Sequence, residues 1–128
     1  MNTLLETQLK RAKAAARLLK NMPTCTKNQA LDKIADALIA HSDEILEANK
    51  KDMAHAKEVN MTKAMQDRLL FTHERIVGVS EGVKKVATLP DPIGEVMESW
   101  TRPNGLKISK VRVPIGVFGI IYEARPNV

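Results

Sequence analysis

The sequence predicts an α/β protein in which N-terminal helices precede a β-hairpin and a single buried strand. Three observations support this prediction. Apolar residues recur every three or four positions as far as Leu89, which is the spacing of amphipathic helices. Asn104-Gly105 lies between two short strand-like stretches and is typical of a hairpin turn. The run from Ile115 to Ile121 is short, apolar and β-branched, as in strands buried inside parallel sheets.

The helical pattern divides into five helices. They are expected over residues 2–21, residues 28–40, a stretch that starts after Ser42, residues 62–70 and a stretch that starts after Thr72. Thr26, Ser42 and Thr72 are predicted N-caps, because a hydroxyl oxygen can accept a hydrogen bond from a first-turn amide. The last helix carries an apolar stripe formed by Ile76, Val79, Val83 and Val86.

The helical period ends at Leu89-Pro90-Asp91-Pro92, where two prolines break it. Strands are expected over residues 95–102 and 106–113, on either side of Pro103-Asn104-Gly105. We therefore divide the chain into a helical part (1–89), a hairpin arm (90–112) and a final part (113–128) that holds the buried strand and a polar turn.

Composition narrows the class of protein. The chain has 128 residues, of which 44% are apolar and 27% charged, as in ordinary globular proteins. No apolar run approaches the roughly 20 residues that span a bilayer, and no signal peptide is recognisable. The net charge of +5 is spread along helices among acidic residues, so a nucleic-acid partner is not expected. The single cysteine, Cys25, excludes an internal disulfide and fits the cytoplasm.

The cysteine and the histidines show no spacing that predicts a catalytic or metal-binding site. Cys25 has no histidine near it in sequence, and His41, His55 and His73 lack the spacing of metal ligands. A metal site is therefore not expected. These histidines are predicted to be solvated helix or cap residues.

The polar turn after the buried strand, residues 122–127, is the candidate functional site. Ligands of open α/β sheets bind beyond the carboxyl ends of strands. Glu123 and Arg125 follow the strand directly, where charges need partners or a ligand. Arg125 offers a planar fork suited to phosphate or carboxylate. The alternative is that Glu123 and Arg125 pair with each other or with other segments and only shape the turn.

The last residues, IGVFGIIYEARPNV, resemble the first core strand and following turn of the aldehyde dehydrogenase superfamily, in its phosphate reductase branch. Residues 31–36, 47–52 and 67–69 match the same branch in order. The resemblance implies a hairpin that serves as an oligomerisation arm and a strand that opens a Rossmann-type cofactor-binding domain. Family members are much longer, so the chain is expected to be an N-terminal fragment of a homo-oligomeric enzyme.

The resemblance also implies a function. It is the NADPH-dependent reduction of L-glutamyl 5-phosphate to L-glutamate 5-semialdehyde, with release of phosphate, in L-proline biosynthesis. Tyr122, Glu123, Ala124 and Arg125 are then expected to bind the cofactor, and Arg125 and Asn127 the substrate. The family's catalytic cysteine lies in a later segment, so no catalytic residue is expected in this chain.

Family members that act on free aldehydes hold the oxyanion with an asparagine near the position of Arg125. Here either Arg125 or Asn127 could donate that hydrogen bond. The fragment alone is expected to be inactive. Two other classes stay open, a non-catalytic helical assembly module and a basic nucleic-acid binder.

Overall fold

The computed structural model describes residues 3–122 and 125–128, which contain five helices and one two-stranded sheet. The elements are α1 (Thr3–Leu19), α2 (Thr24–Ala40), α3 (Ser42–Glu58), α4 (Lys63–Leu69), α5 (His73–Ala87), β1 (Val96–Thr101) and β2 (Lys107–Val111). The chain divides into two compact units. The first unit comprises Met1–Thr24 and Pro90–Gly119, and the second comprises Cys25–Leu89 and Ile120–Val128.

The second unit holds the buried residues of the described chain. Ala35 of α2, Ala56 of α3 and Ile76 of α5 are at most 1% exposed. The buried Ser80 hydroxyl of α5 donates to the Ala35 carbonyl at 2.9 Å. Two alanines and one isoleucine form a small core, so polar contacts contribute much of what fixes the helices against one another.

Local capping chemistry sets the helix boundaries. The predicted Thr72 cap is confirmed, because its hydroxyl accepts from the Arg75 amide at 3.2 Å. The two other cap predictions, Thr26 and Ser42, were wrong. Helix α2 starts at Thr24, which places Thr26 inside the helix. Pro23 lies directly before this start, and its ring fixes φ at about −65°, a value compatible with a helix. Ser42 is the first residue of α3, and His41 holds the cap position without a side-chain hydrogen bond to the first-turn backbone.

The hairpin of the first unit forms as predicted, with slightly shorter strands. Trp100 pairs with Ile108, and the Ser99 and Ser109 hydroxyls are hydrogen-bonded at 2.7 Å. Gly105 has φ 82° and follows Asn104 in a three-residue loop, which is the arrangement that needs a left-handed residue at its third position. All six residues of β1 are exposed.

The expected strand over residues 115–121 is not a strand in this structure. A strand inside a parallel sheet needs hydrogen-bonded neighbours on both sides. The described residues supply only β1 and β2, which pair with each other. Pro114 and Val117 instead line an open groove beside Leu9 and Ala16 of α1. Ile115 and Ile121 are 90% and 103% exposed. None of the helices in residues 3–122 and 125–128 is long and apolar enough to cross a membrane.

Candidate functional site

The polar turn that the sequence singles out is exposed at Tyr122, Arg125 and Asn127. The Val128 amide donates to the Arg125 carbonyl at 3.1 Å, so residues 125–128 form a closed turn. Glu123 and Ala124, the other two expected cofactor contacts, lie outside the described residues. The turn therefore presents a phenol, a guanidinium and a carboxamide to solvent, and all three could contact a polar ligand.

Pro126 and Asn127 also line a cleft whose other wall is built by α4 and α5. We call this the α4–α5 cleft, and its volume is about 680 Å³. Its apolar lining comes from Leu70, Phe71, Val79, Val83 and Val86, and its charged lining from Asp67, Arg68 and Arg75. The stripe predicted for α5 thus faces two ways. Ile76 enters the core, whereas the three valines line the cleft.

Part of the cleft wall formed by α5 consists of glycine backbone. Gly78 and Gly82 lie one turn apart on the cleft, and a Cβ at either would meet no heavy atom within 4 Å. Glycine inside a helix is less favourable than alanine by about 1 kcal/mol. The free space above both residues shows that packing inside the described chain does not require glycine at either position.

Arg75 fixes the end of α4 that forms the second wall. Its guanidinium donates to the carbonyls of Asp67 and Leu70, and pairs with the Asp67 carboxylate at 2.9 Å. The cation therefore satisfies carbonyls that the end of a helix leaves without partners. Arg75 and Asp67 neutralise each other, so the described lining of the cleft keeps one further positive charge, on Arg68.

Asn49 of α3 supports the same wall from behind. Its side chain is 5% exposed, donates to the Leu69 carbonyl at 2.9 Å and accepts from the Phe71 amide at 2.7 Å. In the sequence, Asn49 lies three or four residues from Ile45, Leu46 and Met53, and a polar side chain on this apolar face of α3 was the available signal. It did not identify the partners, which lie 20 and 22 residues away.

The cysteine and histidine candidates make their contacts with residues outside this turn. Cys25 is exposed in the first turn of α2 and contacts the Thr26 hydroxyl at 4.0 Å. His41 and His55 form surface pairs with Glu44 and Glu58, as solvated helix and cap residues would. Within the part of the chain that the structure describes, no group of three acidic, histidine or cysteine side chains could hold a metal.

Two surface ion pairs shift the pKa values of Glu47 and Lys84. A hydrogen bond from Lys50, together with its charge, lowers the pKa of Glu47. The hydrogen bond to Asp36 raises the pKa of Lys84, and that pair links α5 to α2 at 2.9 Å. Neither pair lines the α4–α5 cleft, so these shifts concern the stability of the unit.

The fold is shared with part of a larger reductase. The crystal structure of gamma-glutamyl phosphate reductase from Thermotoga maritima matches 96% of this chain with a TM-score of 0.92 and 44% identity. The enzyme of that name from Saccharomyces cerevisiae matches 82% of the chain with a TM-score of 0.74 and 37% identity. These matches cover 30% and 27% of the two solved chains. They support the predicted α/β class.

The curated relatives that the chain matches carry the same name as these solved structures. The chain is 55% identical over 117 residues to gamma-glutamyl phosphate reductase of Clostridium novyi, and 52% identical over 128 residues to that of a Geobacillus strain. It spans only about 30% of the length of these curated relatives. No family model matches. The chain is thus homologous to one part of gamma-glutamyl phosphate reductase, which confirms the resemblance in the sequence.

Proposed function

We propose that this chain is part of an enzyme that reduces L-glutamyl 5-phosphate to L-glutamate 5-semialdehyde with NADPH and releases phosphate, in L-proline biosynthesis in the cytoplasm. The observation that carries this proposal is the likeness over the whole chain, at about half identity, to enzymes named gamma-glutamyl phosphate reductase. That likeness favours the reductase over an assembly module or a nucleic-acid binder. The hairpin arm is proposed to join copies of the enzyme in a homo-oligomer.

The turn and the cleft support this proposal with suitable chemistry. Arg125 offers donors in a fork that fits an anionic oxygen, and the Tyr122 ring is 57% exposed and so available for stacking. These groups fit a dinucleotide phosphate, whose nicotinamide supplies the hydride when it is bound. Asn127 lies where the turn meets the α4–α5 cleft, which places a carboxamide donor beside a cavity large enough for an amino-acid phosphate.

This chain contributes binding and orientation to the reaction. Cys25 does not line the α4–α5 cleft, so the thiol that attacks the acyl phosphate is assigned to another segment. When the thiol displaces phosphate and forms a thioester, the leaving phosphate is an anion, and a guanidinium at Arg125 would stabilise its charge.

Arg125→Ala in a full-length reductase that contains this segment tests the role proposed for the turn. Because Arg125 is exposed and its backbone carbonyl makes the turn bond, the variant should fold and remain soluble. Its kcat/KM should fall by about tenfold or more, as expected for the loss of a charge-assisted hydrogen bond. Arg11→Ala on the exposed surface of α1 is the matched control. Unchanged kinetics in Arg125→Ala would remove Arg125 from the site.

A further inference from the structure

We propose that Arg68 binds the α-carboxylate of the amino-acid substrate in the α4–α5 cleft. This assignment rests on the proposed function and adds a binding residue to it. L-Glutamyl 5-phosphate carries an anionic group at each end, the α-carboxylate and the acyl phosphate. Each anion needs a cationic or hydrogen-bonding partner once it leaves water.

Charge on the cleft wall supports Arg68 as one of these partners. Among the described lining residues, Arg68 and Arg75 carry two guanidiniums and Asp67 one carboxylate, which gives a net charge of one positive unit. Arg75 and Asp67 are committed to each other at 2.9 Å. Within residues 3–122 and 125–128, the Arg68 side chain makes no hydrogen bond or ion pair. Its five donors are therefore available to a ligand.

The wall that carries Arg68 is held in place before any ligand binds. The Arg75 guanidinium bonds the carbonyls of Asp67 and Leu70, which flank Arg68 on both sides. Asn49 bonds the backbone at Leu69 and Phe71. A binding residue on a backbone fixed in this way loses little freedom when its ligand arrives.

Arg68 and Arg125, whose side chains make no hydrogen bond or ion pair to the described residues, then match the two ends of the substrate. Arg125 lies on the turn, next to Pro126 but not among the residues that line the cleft, whereas Arg68 lines the opposite wall. We assign the phosphate to Arg125 and the α-carboxylate to Arg68. The valines and glycines of α5 line the same cleft, where the uncharged methylenes of the substrate can pack.

Kinetics of the reverse reaction can show which anion Arg68 binds. L-Glutamate 5-semialdehyde, inorganic phosphate and NADP⁺ combine to give L-glutamyl 5-phosphate, NADPH and a proton, so each anion has its own KM. In a full-length reductase that contains this segment, Arg68→Gln should raise the KM for the semialdehyde by about tenfold or more. The KM values for phosphate and NADP⁺ should stay unchanged.

Two companion variants complete the test. Arg68→Lys keeps a charge but not the fork, so its KM for the semialdehyde should lie between those of the parent and Arg68→Gln. Lys63→Gln, at the first position of α4 and outside the cleft lining, should leave all three KM values unchanged.

An unchanged KM for the semialdehyde in Arg68→Gln overturns the assignment, and so does a rise confined to phosphate or NADP⁺. These outcomes leave the proposed function intact. Failure of the parent enzyme to form NADPH would instead overturn the proposed function and the assignment with it.

Discussion

Replacing Asn49 by alanine should weaken the second unit through the loss of two specific hydrogen bonds. Each bond to the backbone at Leu69 and Phe71 contributes about 0.5–1.5 kcal/mol, and the partners left behind in a part-buried position add to the loss. The higher helix propensity of alanine offsets up to about 0.7 kcal/mol of this loss. The net destabilisation is therefore about 2 kcal/mol, or roughly 30-fold in the unfolding equilibrium.

Two measurements check this magnitude. Urea unfolding reports the change in the free energy of unfolding, and hydrogen exchange at the Phe71 amide reports the local bond. Asn49→Asp keeps the acceptor for Phe71 but sets a carboxylate against the Leu69 carbonyl, so it should be no more stable than Asn49→Ala. Asn28→Ala is the control, because Asn28 is half-buried and makes no side-chain bond in the described chain. Equal effects at Asn49 and Asn28, with unchanged exchange at Phe71, would refute the reasoning.

Two further predictions concern α5. Gly82→Ala should raise the free energy of unfolding, measured in urea, by roughly 0.5–1 kcal/mol, since the new methyl group meets no heavy atom within 4 Å. The same variant should raise the KM for the semialdehyde in a full-length reductase. A lower free energy of unfolding would contradict the open space above Gly82. The raised pKa of Lys84 means that its pair with Asp36 stabilises the fold fully below the ordinary value of 10.5, and that this contribution is lost as pH rises through the higher pKa of the folded state. Lys84→Met should therefore be less stable than the parent at pH 7 and should match it on the alkaline side, whereas Lys85→Met should show no such pH-dependent difference.

Local chemistry made several elements predictable. Thr72 caps α5 because a hydroxyl at that position can reach an amide three residues ahead. The hairpin follows from Asn104-Gly105, whose conformational freedom needs no distant partner. The errors at Thr26 and Ser42 are shifts of a helix start by one to four residues, where a proline or a neighbouring residue took over the start.

The cleft was predictable only in part. The resemblance predicted Arg125 and Asn127 as binding residues. In the structure Asn127 lines the cleft and Arg125 does not. Arg68 lay within a matching segment of the sequence without an assigned role. No periodicity connects residues 67–75 with residues 126–127, because they meet only after the chain has folded.

The sequence by itself determined the helices, the hairpin and the family, since these follow from interactions within a few residues and from runs of identical side chains. Tertiary structure decided that Asn49 and Arg75 fix the wall of the cleft, and that Arg68 lies on that wall without a side-chain partner among the described residues. It also decided that residues 115–121 form no strand here. A helix satisfies its own backbone, whereas a buried strand and a cleft depend on partners that are distant in the chain.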